Sequence, residues 1–295
     1  MIDAKQVLKL VETYRVTNGR NFRLKDYPTK DDLGDELTKE NAKNGLKIGV
    51  DELASLQDRL SAQDRWGVLT IFQAMDAAGK DGTIKHVFSG LNPQGTSVES
   101  FKQPTVLELD HDFLWRHVLH LPQRGRIGIH NRSWYEEVLV LRVHPQLLEK
   151  QRIPPRLIGK KVFDERLEDI AAFEGYLGRQ GIVVLKFFLH MSKDEQRKRF
   201  LSRVDEPEKN WKFSAADVAE RAYWDSYHSA YEKAIRATAT PEAPWYVVPA
   251  DDKALTRLIV VAAMVKELTA LDLEYPKPTA AQKAALQEAR EALEG

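Results

Sequence analysis

Apolar and polar positions follow two alternating rhythms along this chain. Five short runs rich in β-branched and aromatic residues, 66–72, 97–101, 127–130, 182–189 and 245–249, read as strands. Between them the apolar positions recur at helical spacing near 83–90, 106–119, 134–150, 164–179 and 215–236. Strand and helix in alternation predict an α/β fold, a five-stranded parallel sheet covered by helices on both faces. Right-handed crossovers then gather the C-terminal ends of the strands along one edge, where such sheets bind ligands.

The flanks follow helical patterns. Val7, Leu8, Leu10, Val11 and Tyr14 predict a first amphipathic helix, and the charged, irregular stretch 20–44 could wrap the domain as an arm. A last apolar helix runs from Lys253 to about Leu271, Pro276 and Pro278 break the chain, and 280–294 reads as a surface helix. This predicts a single domain over 1–275, with a helical arm at 1–65 and a helical tail at 276–295. The arm and tail are candidate interfaces, and a homo-oligomer is expected.

Composition narrows the partners. Lys plus Arg and Asp plus Glu both number 44, so a bound polyanion must meet a local basic patch. The chain has no cysteine, which excludes disulfides and thiolate metal sites. The N-terminus lacks an apolar signal core and no apolar run approaches membrane-spanning length, so a cytoplasmic protein with no membrane partner is expected.

The most informative segment is Ala74-Met75-Asp76-Ala77-Ala78-Gly79-Lys80-Asp81-Gly82-Thr83. An apolar strand feeds a loop of small residues that ends in Gly-Lys and opens a helix, the layout of a phosphate-binding P-loop. Gly79 lets backbone approach a phosphate closely, and Lys80 supplies a compact charge for phosphoryl oxygens. Ala77, Ala78, Gly82 and Thr83 complete the loop, with Thr83 a displaced stand-in for the usual Ser/Thr. Two carboxylates, Asp76 and Asp81, would repel phosphate unless a divalent cation intervenes, so Asp76 is the favoured Mg²⁺ ligand. Asp81 also suits a helix N-terminus with no further role.

A second cluster follows the 127–130 run: His130-Asn131-Arg132-Ser133-Trp134-Tyr135-Glu136-Glu137. A Walker B strand ends in a metal-binding carboxylate, but here neutral Asn131 holds that position. Glu137, one turn into the next helix, could restore the charge, and Arg132 could reach a transferring phosphate. Ser133 and Glu136 have capping-box spacing, which gives Glu136 a structural role.

The third element lies at about 192–215, where nucleotide kinases carry a mobile lid. Arg199 and Arg203 share a helix face there and, with Lys209 and Lys212, form a dense basic patch. A solvated charged helix is the plainer reading, and stacking of nucleic-acid bases on Trp211 and Phe213 is a further one. His117 and His120 have no completing ligand pattern and read as structural. Tyr223, Trp224, Tyr227 and Tyr231 read as a packing stripe.

These motifs, together with Leu91-Asn92-Pro93-Gln94-Gly95, His120-Leu121-Pro122, Glu208-Lys209-Asn210-Trp211-Lys212 and Ala243-Pro244-Trp245, resemble the type-2 polyphosphate kinase family over about residues 60–265. The resemblance implies a thymidylate-kinase-like P-loop fold, α/β/α with a helical lid. It implies metal-assisted (Mg²⁺ or Mn²⁺), reversible transfer of the terminal phosphoryl group of polyphosphate to AMP or ADP. Asp76 and Lys80 match the family's P-loop acid and lysine, Arg132 its Walker B arginine, and Arg199 and Arg203 its lid arginines. Asn131 with Glu137 looks like the third class, which phosphorylates nucleoside mono- and diphosphates. Asp76, Lys80, Arg132 and Glu137 are then the catalytic candidates, with Asp76 and Glu137 at the metal. Lys85, Arg132, Lys209 and Lys212 are candidates for a basic track under the polyphosphate chain. Two other readings stay open: an ATP-dependent P-loop kinase of a small metabolite, and a non-catalytic polyanion or nucleic-acid binder, against which the zero net charge counts.

Overall fold

The computed structural model describes residues 4–31 and 39–295. The chain runs α1 (Ala4–Tyr14), β1 (Arg15–Val16), α2 (Lys39–Gln63), β2 (Gly67–Ala74), α3 (Lys80–Phe88), β3 (Thr96–Ser100), α4 (Val106–Leu109), α5 (Trp115–Val118) and β4 (Ile127–Asn131). It continues with α6 (Glu136–Val143), α7 (Val162–Arg179), β5 (Ile182–His190), α8 (Lys193–Asp205), α9 (Ala215–Ala219), α10 (Trp224–Thr238), β6 (Trp245–Pro249), α11 (Lys253–Thr269) and α12 (Ala280–Glu294).

The five expected strands are parallel, but the sheet has six, in the order β1-β6-β5-β2-β4-β3. The sixth is β1, two residues that pair antiparallel with β6, too short to leave a periodic signature. Alternating side chains of β2 supply two cores, as the pleat requires. Val68 and Phe72 pack under α2, α3 and α11, whereas Leu69 and Ile71 pack with Trp134, Leu139, Ile170 and Ile235 beneath α6, α7 and α10. The outcome is three layers, α/β/α.

Several helical stretches are shorter than their periodicity. The 106–119 pattern is two single-turn helices. Thr105 caps the first with a capping box to Glu108, and Asp112 accepts from the Leu114 amide at the start of the second. α6 stops at Val143 because Pro145 cannot continue it, and a 3₁₀ segment follows. The 215–236 pattern splits at Glu220–Tyr223, which is also 3₁₀. The opposite correction applies to 20–44. A 25-residue helix, α2, begins at Lys39 and lies along α11, and 32–38 lie outside the described residues. In α1, Val11 and Tyr14 are buried and Leu10 packs on the core, while the side chains of Val7 and Leu8 lie outside the description. Every residue of α12 is exposed. Among the described residues no helix is long and apolar enough to cross a membrane.

Register sets the site. Phe72 of β2 lies opposite Asn131 of β4 and Phe187 of β5, so the loop after β2, the turn after β4 and the start of α8 share one edge of the sheet.

Candidate active site

β2 continues to Ala74, and the loop that follows turns through two left-handed residues, Ala77 (φ 64°) and Gly79 (φ 103°). Glycine tolerates that region freely, whereas at Ala77 it costs about 1–2 kcal/mol. α3 then opens at Lys80. Among the described residues, no backbone hydrogen bond takes the N–H groups of Ala77, Gly79, Lys80 or Asp81. Together with the N-terminal end of α3 they form an anion cradle. Lys80 folds back over the loop, its Nζ donating to the Ala74 carbonyl at 3.2 Å. Burial first, then the nearby Arg132, pushes the ammonium below the ordinary lysine range, against the pull of Asp76, Glu136 and Asp81. Thr83 is buried and Lys85, in the second turn of α3, is exposed.

Arg132 follows β4 in a left-handed conformation (φ 68°), and its amide bonds to the Phe72 carbonyl at 3.0 Å. That turn sends the guanidinium back to the loop. Nη2 donates to Asp76 Oδ1 at 3.2 Å, and Nη1 lies 3.6 Å from Glu136 Oε2. Glu136 also accepts from Gln73 Nε2 at 2.9 Å. Asn131 donates to Asp81 Oδ1 at 2.6 Å.

The two glutamates therefore differ from the reading of the sequence. The Ser133–Glu136 capping box does not form: Ser133 Oγ accepts from the Tyr135 amide, and Tyr135 at the start of α6 makes no side-chain cap. Glu136 instead joins Arg132 beside Lys80. Glu137 turns away from the loop: its carboxylate accepts from Arg166 Nη1 of α7 at 3.0 Å and from Gln151 Nε2, at the end of the 3₁₀ segment after α6, at 2.5 Å. Burial raises its pKa, while Gln151 and Arg166 oppose the rise. The structure does not bring Glu137 to Asp76. The rank of Gln73 and Glu136 had no signal in the sequence, because a strand residue and a helix residue meet only through the turn at Arg132.

A cavity of about 330 Å³ opens beside Arg132 and Glu136, lined among others by Phe101, Lys102, Arg116, His117 and Glu137. His117 and His130 are buried against Phe101 and Trp134, and burial drives the His130 pKa down to about 4. Both are neutral packing groups at physiological pH. His120 lies 3.3 Å from Glu99. In the aromatic stripe Trp224 and Tyr231 are buried, whereas Tyr223 is exposed and sits edge-on to His144.

α8 lies on the other side of the loop. Arg199 donates to the carbonyls of Ala77, Ala78, Ala250 and Asp251 and to Glu195. Arg203 reaches Asp217 at 3.4 Å and the Lys212 carbonyl at 3.2 Å. Lys209 pairs with Glu206 and Ser202, and Lys212 covers the ring of exposed Trp211. Two basic residues absent from the sequence reading, Lys253 and Arg257, stand on the first turns of α11. The Lys253 ammonium is held down by burial and then by Arg199, Lys209 and Arg257, so these cations gather in one place. Their signal was positional: α11 starts just past the C-terminal end of the last strand.

Among the described residues no three His, Cys, Asp or Glu side chains form a ready metal cage. A Mg²⁺ that takes one carboxylate and completes its shell with phosphate oxygens and water needs none. Half-buried Asp76, at the mouth of the cradle, fits that donor set.

A phosphate loop on a parallel sheet, with a lysine, an arginine and a carboxylate around it and a helical cover beside it, defines a P-loop phosphotransferase. The family model described as Polyphosphate kinase 2 matches residues 36–276, and this chain belongs to that family. It is 51% identical over 281 residues, 95% of this chain and 97% of the relative, to an ADP-polyphosphate phosphotransferase of Rhodopseudomonas palustris. It is 43% identical over 274 residues, 92% and 98% of the two chains, to an AMP/ADP-polyphosphate phosphotransferase of Meiothermus ruber. The crystal structure of polyphosphate kinase 2 from Arthrobacter aurescens superposes with a TM-score of 0.84 at 39% identity, covering 94% of this chain and 96% of that one.

Proposed function

We propose that this chain transfers the terminal phosphoryl group of inorganic polyphosphate to ADP and AMP, reversibly and with Mg²⁺ or Mn²⁺. Arg132 carries the reading. It bonds to Asp76 of the phosphate cradle and also lines the 330 Å³ cavity, so one guanidinium stands where two bound phosphates would meet. The donor occupies the cradle and the acceptor nucleotide the cavity, with Lys102, Arg116 and Arg132 beside its phosphates. Lys209, Lys253 and Arg257 supply a basic track for the rest of the polyphosphate chain. The relatives support the acceptors: both are named for ADP and one also for AMP.

Phosphoryl transfer needs positioning and charge neutralisation more than a strong base. An oxygen of the acceptor's last phosphate attacks the terminal phosphorus of the chain. The bridging P–O bond breaks, its electron pair stays on the shortened chain, and ADP becomes ATP. Lys80 and Arg132 balance charge on the transferring oxygens, and the loop amides orient them. Asp76 would hold a divalent cation, which would add neutralisation that Lys80 alone does not supply; Glu137, bound to Arg166, serves the cavity wall. Incubation with ADP or AMP, Mg²⁺ and polyphosphate, with ATP omitted, tests the reading. New ATP from ADP, and ADP from AMP, is the expected result. Phosphorylation of another metabolite by ATP alone would replace it.

A further inference from the structure

The first helix of the cover does not hang over the phosphate loop; it is fastened to it. Three consecutive carbonyls of the loop accept bonds from α8. Gln196 Nε2 donates to Asp76 O at 2.9 Å, and Arg199 Nη1 donates to Ala77 O at 3.2 Å and Ala78 O at 2.8 Å. Arg199 Nη2 takes the carbonyls of Ala250 and Asp251 at 2.7 and 3.2 Å, and its Nε takes Glu195 at 2.8 Å. A guanidinium has five N–H groups, and these five bonds use them all. Gln196 is buried, and its own oxygen is fixed by Arg221 at 2.8 Å. An arginine that closes onto phosphate needs N–H groups to spare, and this one has none.

We propose that α8 is a fixed buttress of the cradle and that Arg199 is a positioning residue, which presents the loop amides to phosphate and does not bind phosphate itself. In a planar trans peptide the C=O and N–H point in opposite directions. Turning the carbonyls of residues 76 and 78 toward α8 therefore turns the N–H groups of Ala77 and Gly79 away from it, into the cradle. The same bonds hold Ala77 in its left-handed conformation, which alanine would otherwise leave. The movable part of the cover then begins beyond Arg199. Arg203, one turn on, is bonded through Nη1 alone among the described residues.

The proposal rests on residues 75–82 being the phosphate cradle, and its test separates the two. Wild-type enzyme, Arg199→Lys and Gln196→Leu are compared with ADP and polyphosphate over a range of salt. Lysine keeps the charge but cannot bridge two loops. A positioning role predicts that Arg199→Lys lowers kcat by about a hundredfold, leaves KM for polyphosphate and its salt dependence nearly unchanged, and that Gln196→Leu lowers kcat in the same way. Retained kcat in Arg199→Lys, or a raised KM with a shallower salt slope, overturns it. Should the variant not fold, arginine side-chain NMR of the wild-type protein decides. Arg199 N–H signals protected from exchange before polyphosphate is added support the buttress. Protection that appears only with polyphosphate overturns it. Failure of the wild-type enzyme to make ATP would instead remove the function reading, while the NMR result would still stand.

Discussion

Asn131 donates from Nδ2 to Oδ1 of Asp81 across 2.6 Å, so the end of β4 is tied to the first turn of α3. Where a Walker B carboxylate would stand beside a second carboxylate, an amide stands and neutralises nothing but repels nothing. Asn131→Asp would set two carboxylates at hydrogen-bond distance, and they cannot both ionise without a proton or a cation between them. Because a facing carboxylate pair binds a divalent cation more tightly than a carboxylate and an amide do, the variant is expected to need less Mg²⁺ for half-maximal rate. A metal titration of ATP formation measures this, and an unchanged midpoint contradicts it.

Lys80 is charged in a place that disfavours charge. A lysine whose folded pKa is depressed contributes stability above its unfolded pKa and loses it as pH falls from there through the lower folded pKa, so at neutral pH, below the unfolded value, its burial is a net cost. Lys80→Met should therefore abolish turnover while raising the urea midpoint at pH 7. A midpoint below wild type would show that the lysine is held for stability.

The buried pair Glu174–Lys186 joins α7 to β5, in the core under α6 and α7. Glu174 accepts from Lys186 at 2.5 Å, from Tyr135 at 2.7 Å and from Trp134 at 3.2 Å, and both charges are fully buried. Removing one partner leaves the other uncompensated, at a cost of about 3–5 kcal/mol. Lys186→Met is expected to lose that much in urea unfolding, and the double variant Glu174→Leu/Lys186→Met to recover most of it.

His130 and His190 each have a folded pKa of about 4, lowered mainly by burial. For a base depressed in the folded state, the unfolded chain binds more protons once pH falls below its own pKa, near 6.5. Stability is thus full above that value and lost between there and about pH 4. At pH 5 each histidine should cost about 2 kcal/mol relative to pH 7. His130→Phe is expected to flatten the acid side of the stability curve by that amount. The same groups should leave no titration in the activity profile between pH 5 and 8.

Much of the fold was legible because it is local in origin. Strand runs such as 182–189 show their double burial as unbroken apolar sequence, and Gly79-Lys80 after a strand announces a phosphate loop whatever surrounds it. The same locality explains the errors. Periodicity carried 134–150 past Pro145 and joined 106–119 across Asp112, because an apolar stripe persists through a break in backbone hydrogen bonding. β1 left no trace, since two residues make no period.

The candidate site was legible as a set of residue types and illegible as a set of pairs. Sequence alone determined that Asp76, Lys80, Asn131 and Arg132 end neighbouring parallel strands or open the next helix, because alternation and crossover hand place them on one edge. The tertiary structure decided which of them meet. The left-handed turn at Arg132 sends that side chain to Asp76 and brings Glu136, not Glu137, beside it; the packing of α7 claims Glu137 for Arg166; and five carbonyl and carboxylate bonds saturate Arg199. Such choices depend on backbone direction over a few ångströms and on partners more than a hundred residues away, as Arg199 is from Ala77. A linear pattern holds neither.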